Sequence, residues 1–407
     1  MYLLIRVMKC NCKYCKDIDY DNSEYFVDLS LLTNERPIGV SGLLRVKNDA
    51  EFLALCVDSC IDALDELIIV YQECDDDSPQ IIEQKRQQYP DKIRTYFYRP
   101  LVLSHNLTSE ELHYVSTLDK TSIHLLSNYY NYTLSKASYR YAIKIDGDQV
   151  YFTDKLKSFC NAYRKEKIEK ITIGERWSSA YIYNFVSLMN LFPKLLSSKL
   201  SFLIPSKKIV DRYKHYELKI IANKKYPVSF SGINLYKESG DWALPLGAYA
   251  EGMFPPFNGI HDHILFEISA VSFYLPHVIY SNNFKYGNCI IETFNLDKKL
   301  SLPKGFYKPQ LLYGGFLWYH AAAIKEPEFT TNREKYKQST LPLFDKKVNF
   351  FDLEMHLSIP FRRWMRPWYC LFWNKEWPEL PKNDLSKINN IISVFSNIDL
   401  SNEKKKR

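Results

Sequence analysis

The sequence predicts an α/β protein with a mostly parallel sheet and helices on both faces. Three short apolar runs, at 38–46 (IGVSGLLRV), 65–73 (DELIIVYQE) and 139–145 (YRYAIKI), have the composition of buried strands. The first two are each followed by a stretch with helical spacing of apolar residues. Strand–helix–strand–helix order is typical of a doubly wound parallel sheet, because parallel neighbours need a crossover connection.

The helices of this half follow from spacing. KNDAEFLALCVDSCIDAL places Phe52, Leu53, Cys56 and Val57 on one helical face, with Asn48 or Asp49 as the N-cap. CDDDSPQIIEQKRQQYP predicts a second helix, and SIHLLSNYYNYTLSKA predicts a third after a long connecting stretch at 99–122. Further on, KITIGERW and PVSFSGINLY each indicate a β-like run that ends near a glycine.

Composition excludes some classes of protein. The chain has 407 residues and a net charge of +7, and its basic residues are interleaved with acids, so it lacks the basic footprint of a nucleic-acid binder. Its 31 Tyr and 24 Phe suit sugar rings or interfaces, or fill the core. The apolar run in MYLLIRVMKC is too short for a signal peptide, and no stretch reaches the roughly 18 apolar residues of a membrane span. We expect a cytoplasmic protein, soluble or peripheral at the inner face of the membrane.

The cysteines indicate a reducing compartment, since there are nine of them, an odd number. Cys10, Cys12 and Cys15 form the cluster CNCKYC, which raises the question of zinc. Structural zinc takes four ligands, often as two separated pairs, and no second pair follows. We therefore interpret these cysteines as free thiols in an N-terminal extension.

Three regions are predicted. Residues 1–36 are an N-terminal extension, and residues 37–326 are the catalytic domain, with a nucleotide-sugar half at 37–155 and an acceptor half at 156–326. Residues 327–407 are an aromatic and basic C-terminal segment. Within it, RRWMRPWYCLFW (362–373) combines Arg with Trp, which favours contact with an anionic membrane surface; packing of its aromatics against the catalytic domain is the alternative.

Acidic residues follow two of the predicted strands. Asp75 and Asp76 come after the second strand, and Asp146 and Asp148 end the motif IDGD. Ligands bind at the carboxyl ends of strands in open α/β sheets, so both groups can face one crevice. A carboxylate pair suits Mn²⁺ or Mg²⁺, which in turn binds a diphosphate. A simple turn uses the same residue types and is the alternative.

The segments GVSGLLRVKNDAEFL, DELIIVYQECDDDSPQII and YAIKIDGDQVYF, in this order, resemble glycosyltransferases of the GT-A fold, in particular the family 2 type that builds bacterial surface polysaccharides. The resemblance implies that Asp146 and Asp148 form the metal and diphosphate motif, with Asp148 as the more direct ligand. It further implies that Asp75 or Asp76 contacts the base or ribose, and that Arg45 and Asn48 border the nucleotide. RVKND stands where the family more often has R-N-E.

The resemblance also suggests roles for two residues of the second half. Asp262, in FNGIHDHILFEI, matches a carboxylate that related enzymes place near a helix start to deprotonate the acceptor hydroxyl; a capping role is the alternative. His320, in GGFLWYHAAAIK, matches a late histidine that supplies a third ligand to the metal. A histidine satisfied within the core is the alternative reading.

Taken together, the sequence predicts a metal-dependent glycosyltransferase that moves a sugar, probably a hexose from UDP, to a glycan or lipid-linked acceptor in lipopolysaccharide or capsule synthesis, with inversion. Two other classes stay open. One is a nucleotidyltransferase, for which GVSGLLRVK would be a poor phosphate loop, and the other is a non-catalytic glycan-binding scaffold.

Overall fold

In a computed structural model, the chain is described at residues 9–16, 18–191, 206–234, 236–238, 241–245, 257–274, 279–283, 287–290, 293–296, 312–320 and 340–342. The chain divides into two compact units. The first comprises 1–148, 225–227 and 264–311, and the second comprises 149–224, 228–263 and 312–407. The predicted region boundaries at 36, 155 and 326 stay a prediction.

The α-helices of the described residues are α1 (Ala50–Cys60), α2 (Ser78–Gln88), α3 (Ser109–Thr117), α4 (Leu126–Ser135), α5 (Thr153–Arg164), α6 (Ile173–Leu191) and α7 (Lys207–Lys224). The strands are β1 (Val40–Val46), β2 (Glu66–Tyr71), β3 (Ile93–Phe97), β4 (Tyr141–Asp146), β5 (Gln149–Tyr151), β6 (Val228–Asn234), β7 (Tyr236–Glu238), β8 (Asp241–Pro245), β9 (Phe257–Glu267), β10 (Val271–Tyr274), β11 (Ile279–Asn283), β12 (Gly287–Ile290), β13 (Thr293–Leu296), β14 (Leu312–His320) and β15 (Thr340–Pro342). Short 3₁₀ helices lie at Asn22–Tyr25, Leu29–Thr33, Ile61–Ala63 and Ile268–Ala270.

The first unit is built on a mostly parallel sheet, which confirms the predicted fold class. Its strand order is β3-β2-β1-β4-β9, and the first four strands are mutually parallel. The end of β9 adds an antiparallel edge, with Glu267 beside Tyr141. In the register of β1 and β4, Arg45 lies beside Asp146. The strands predicted at 38–46, 65–73 and 139–145 are thus all present, and their carboxyl ends meet at one edge.

The core of this sheet explains why its strands are apolar along their whole length. Val40 and Leu44 of β1 and Leu67 to Val70 of β2 are fully buried. Strands buried on both faces carry continuous rather than alternating apolar residues. Helix α4 packs against both β1 and β2 and is itself almost wholly buried from Ser127 to Leu134.

We expect Leu44→Ala to be strongly destabilising. The Leu44 side chain has no exposed surface in the central strand, so its removal leaves a cavity as well as losing apolar burial. The expected loss is about 2–5 kcal/mol in the free energy of unfolding, measured by urea denaturation. Leu31→Ala is the matched control, because Leu31 is 54% exposed, and it should cost less than about 0.5 kcal/mol. Equal losses in the two variants would contradict the core described here.

Tyrosines join the N-terminal segment to this core. The Tyr25 ring lies 5.0 Å from that of Tyr98 and 5.6 Å from that of Tyr132, centroid to centroid. Asn128 donates to the Tyr25 carbonyl at 2.9 Å and to the Tyr98 hydroxyl at 3.0 Å. These tyrosines are buried and their polar groups are bonded, so at this place the aromatic content of the chain fills the core.

The second unit contains a smaller set of strands and three of the helices. Its strand order is β6-β14-β5, with β14 parallel to β6 and antiparallel to β5. Strands β7, β8 and β15 form a separate antiparallel sheet. Helix α7 packs against α5 and α6. The strand predicted at PVSFSGINLY is present as β6.

Three expectations about secondary structure were wrong. The connecting stretch at 99–122 contains α3, which begins with a capping box in which Thr108 and Glu111 bond each other's backbone amides. KITIGERW enters the long helix α6 instead of a strand, because Glu175 caps it by accepting from the Thr172 amide at 2.7 Å. Asp262 lies inside strand β9 and not at the start of a helix.

The rest of the predicted architecture bears on membranes. Among the described residues, no helix combines the length and the apolar character needed to cross a bilayer. The aromatic and basic run at 362–373 lies outside the described residues, so the membrane contact inferred for it stays a prediction.

Candidate active site

The carboxyl ends of β1 and β4 bring Arg45 and Asp146 together. An Arg45 Nη2 hydrogen donates to Asp146 Oδ1 at 3.1 Å, and the Arg45 side chain is only 8% exposed. The guanidinium carbon lies 3.3 Å from the centroid of the Tyr130 ring on α4. Arg45 is therefore held between an aromatic face and a carboxylate, which fixes the direction of both partners.

A second cation approaches the same carboxylate. Lys144 of β4 is buried, and its Nζ lies 4.0 Å from Asp146 Oδ2 and 5.2 Å from the centroid of the Tyr130 ring. Asp146 is 32% exposed, so its charge is balanced by two cations while part of its surface still faces solvent. This balance explains how two aspartates are tolerated so close together at the end of a buried strand.

The IDGD motif forms a turn and not a continuing strand. β4 ends at Asp146, a turn at Gly147 and Asp148 follows, and β5 begins at Gln149. A Cβ added to Gly147 would lie 3.0 Å from both Cβ and Cγ of Asp49, so glycine permits the close approach of these two segments. Burial raises the pKa of the Cys56 thiol, which donates as S–H to the Asp146 carbonyl at 3.2 Å.

The loop after β1 is locked to the loop after β2. Asn48 has a positive φ of 59°, and its amide bonds Asp75 in both directions, at 2.9 Å from the Asp75 backbone N–H and at 3.4 Å to the Asp75 carboxylate. Asparagine tolerates this backbone region better than most residues. Asp75 itself is exposed, so it lies at the surface of this edge.

Asp76 has a different place in the same loop. Its Oδ2 accepts from the Ala50 amide at 2.9 Å and its Oδ1 accepts from the Ser78 amide at 3.0 Å. The carboxylate thus satisfies backbone donors at the starts of α1 and α2. Of the two acidic residues that the sequence left as alternatives for nucleotide contact, Asp75 is the one with its carboxylate at the surface.

A family comparison covers this part of the chain. Residues 22–173 match the family model described as beta-1,4-N-acetylgalactosaminyltransferase (CgtA). The match contains β1, β2, β4 and every site residue described above. This part of the chain is of the GT-A glycosyltransferase type. The sequence resemblance to GT-A enzymes is thereby confirmed for the glycosyltransferase segment 22–173.

Solved structures give a more local likeness. Two that match are of glucosyl-3-phosphoglycerate synthase from Mycobacterium tuberculosis, one in complex with Mn²⁺, UDP and glucosyl-3-phosphoglycerate and one in complex with phosphoglyceric acid. Each is 16% identical and covers 30% of this chain and 37% of that chain, with TM-scores of 0.18 and 0.17. The chain thus spans well under half the length of that enzyme. No curated protein sequence matches the chain.

Sequence reasoning missed three residues of the glycosyltransferase segment. Asp49 was considered only as a helix cap, yet it backs the Gly147 turn and brings a third carboxylate to it. Lys144 and Tyr130 were considered only as parts of a strand and a helix. The acid of the asparagine–acid pair could have indicated Asp49, because related enzymes carry such a pair after the first strand. Nothing in the sequence indicates that Tyr130 stacks on Arg45.

The two site residues of the second half are located by backbone only in part. Asp262 lies in β9, within the second unit, and its role as a base stays a prediction. His320 is the last residue of β14, is partly buried, and lies beside Gln149 of β5 in the register of the second unit. Gln149 directly follows Asp148 in the chain. The role of His320 as a metal ligand also stays a prediction.

The donor set at the turn fits a hard divalent cation. Asp49, Asp146 and Asp148 offer carboxylate oxygens, which suit Mn²⁺ or Mg²⁺ better than soft metals. Because the oxygens of Asp146 already face Arg45 and Lys144, Asp148 is the better placed of the two motif aspartates to bind a metal directly. This agrees with the order of roles that the resemblance implies.

Proposed function

We propose that the protein is a metal-dependent glycosyltransferase that uses a nucleotide-activated sugar. The observation that carries this proposal is the meeting of the β1, β2 and β4 ends, with Arg45, Asp75, Asp146 and Asp148, inside the segment of GT-A type. Carboxylates grouped at the carboxyl edge of a parallel sheet suit a sugar nucleotide and a cation bound together.

The donor is a UDP-activated hexose or N-acetylhexosamine. The matching family is named for N-acetylgalactosaminyl transfer, and that sugar is activated as its UDP derivative. Asp75 and Asn48 lie where the base and ribose would bind, because they hold the two loops that follow β1 and β2. Arg45 borders the same place, with its charge directed at Asp146.

Mn²⁺ or Mg²⁺ is the cofactor, held by Asp148 with Asp146 beside it and His320 as a further ligand. When bound, such an ion neutralises charge on the diphosphate leaving group. The protein's own contribution is to fix the turn, through Gly147 against Asp49 and through the Cys56 bond to the Asp146 carbonyl. Preorganised ligands lower the cost of reaching the reactive geometry.

The acceptor is a glycan or a lipid-linked saccharide, in lipopolysaccharide or capsule synthesis. Asp262 takes the proton from the acceptor hydroxyl, the oxygen forms a bond to the anomeric carbon, and the bond from that carbon to the nucleoside diphosphate breaks. The outcome is inversion. The beta linkage in the name of the matching family supports this outcome, since UDP-activated hexosamines carry an alpha linkage.

The test is release of nucleoside diphosphate from a panel of UDP-, GDP- and CMP-activated sugars, first in Mn²⁺ and then in excess chelator. We expect release, or binding measured by calorimetry on the same samples, with UDP-sugars only, and a loss of at least about tenfold in chelator. Incorporation of the nucleotide into product would instead indicate a nucleotidyltransferase. Binding of glycan without metal-assisted binding of any donor would indicate a scaffold.

A further inference from the structure

Three cysteines of the N-terminal segment converge on one buried histidine. Cys10, Cys12 and Cys15 lie with their Sγ atoms 3.8, 3.1 and 3.2 Å from His124 Nε2. The four donor atoms all lie within 4.8 Å of one another. His124 is 109 residues beyond Cys15 and has no exposed surface. The cluster, Cys10–Cys12–Cys15–His124, is therefore assembled by the fold and not by sequence spacing.

These separations are those of a tetrahedral metal site. With Zn–S near 2.3 Å and Zn–N near 2.0–2.1 Å, a regular tetrahedron places its sulfur and nitrogen donors about 3.5 Å apart. The three observed distances bracket that value. The cysteines form no disulfide. Soft thiolates with one imidazole match zinc and exclude the hard cations expected at the IDGD turn.

The histidine is held in the state that a metal requires. His124 Nδ1 lies 2.7 Å from the Leu101 carbonyl oxygen, which can only accept a hydrogen bond. Nδ1 therefore carries the hydrogen, and Nε2 presents its lone pair to the three sulfurs. Orientation of a ligand histidine by a carbonyl behind it is a recurrent feature of zinc sites. The Tyr14 ring, 5.7 Å from the His124 ring, packs beside it.

The backbone around the cysteines is fixed as well. The Cys15 amide donates to the Cys12 carbonyl at 2.9 Å, which closes a turn between them. Asn22 is fully buried and bonds the Cys10 backbone twice, accepting from its amide at 2.9 Å and donating to its carbonyl at 2.6 Å. The thiols are thus aimed at His124 by local structure, and the arrangement does not depend on long flexible side chains.

We propose that this cluster binds one structural zinc ion. All four positions are filled by protein ligands, which is the pattern of structural and not catalytic zinc. The ion ties residues 10–15 to the residue that precedes Leu125, the N-cap of α4. Helix α4 carries Tyr130, which supports Arg45, so the zinc stabilises the segment from which one wall of the candidate active site is built.

The sequence argument against zinc fails at one step. It required a second pair of cysteines near the first, and the fourth ligand is instead a single histidine after β3. His124 lies in the apolar run SIHLLSNYY, where we considered only the helix that follows. The free state of the cysteines with respect to disulfides agrees with the prediction.

The experiment measures metal in the full chain, purified under reducing conditions without chelator, by plasma mass spectrometry. We expect about one zinc per chain, the stoichiometry of a closed four-ligand site. His124→Ala and Cys12→Ser should lower the zinc content at least tenfold. His113→Ala and Cys74→Ser are the matched controls, because His113 is exposed on α3 and Cys74 lies outside the cluster, and both should retain zinc. Asp148→Asn should retain it too, which separates this site from the IDGD turn.

Two further measurements keep the test decisive if a variant folds poorly. His124→Cys should retain zinc, since four thiolates also form a structural site. Refolding of the native sequence with Co²⁺ should give the visible absorption of tetrahedral cobalt with thiolate ligands, and Zn²⁺ should displace it. A native chain that is purified free of zinc and takes up no Co²⁺ would overturn the proposal. Equal zinc content in His124→Ala and His113→Ala would overturn it as well.

Discussion

Asp148→Asn should reduce sugar-nucleotide turnover by at least about 100-fold, the upper end of what loss of an outer partner of a metal ligand costs. Asp148 lies in the turn after β4, and the neighbouring Asp146 already has both oxygens directed at cations. Removal of the Asp148 charge therefore removes the carboxylate best placed to bind the metal. Asparagine keeps the size and most of the hydrogen bonding of the side chain, so the fold should be preserved.

The measurement is diphosphate release as a function of Mn²⁺ concentration. The variant should need a higher Mn²⁺ concentration for half-maximal release, in addition to its lower maximal rate. Asp154→Asn is the control, because Asp154 is exposed on α5 and only six residues away, and its rate should stay within about twofold of the native rate. An Asp148→Asn protein with a native rate and native Mn²⁺ dependence would remove the metal role from the IDGD turn.

The parallel sheet could be predicted because its strands obey a simple physical rule. Strands β1, β2 and β4 are buried on both faces, so the chain must write them as continuous apolar runs. The acidic residues that follow were then placed at one edge by topology alone, since parallel strands end on the same side. Arg45, Asn48, Asp75 and Asp146 do meet there.

Other parts of the site could not be predicted, because they depend on contacts between distant segments. Asp262 follows a Gly and precedes an apolar run, a pattern that a helix start and a strand share, and the pairing of the end of β9 with β4 decides between them. His124 meets Cys15 only after the core has formed. Local pattern gives the elements, and long-range packing gives the partners of each side chain.

Arg45→Met should destabilise the protein and weaken donor binding together. The substitution leaves Asp146 with Lys144 at 4.0 Å as its remaining cation and removes a guanidinium that stacks 3.3 Å from the Tyr130 ring centroid. Loss of one partner of a largely buried pair and of a desolvated cation–π contact should cost about 2–4 kcal/mol in the free energy of unfolding. Arg86→Met is the control, because its partner Glu83 is exposed and the pair should contribute less than about 1 kcal/mol.

Arg45→Lys separates charge from shape. Lysine keeps the positive charge near Asp146, yet it lacks the planar fork that can stack on Tyr130 and bond the carboxylate at the same time. We expect an intermediate loss of stability and, because the Asp146 carboxylate is no longer held in one orientation, weaker donor binding by calorimetry. A double-mutant cycle of Arg45→Met with Tyr130→Leu should give a coupling of about 1–2 kcal/mol. Additive effects in that cycle would show that the stacking seen between Arg45 and Tyr130 contributes no energy, and the orientation of Asp146 would then have to depend on Lys144 and the Gly147 turn alone.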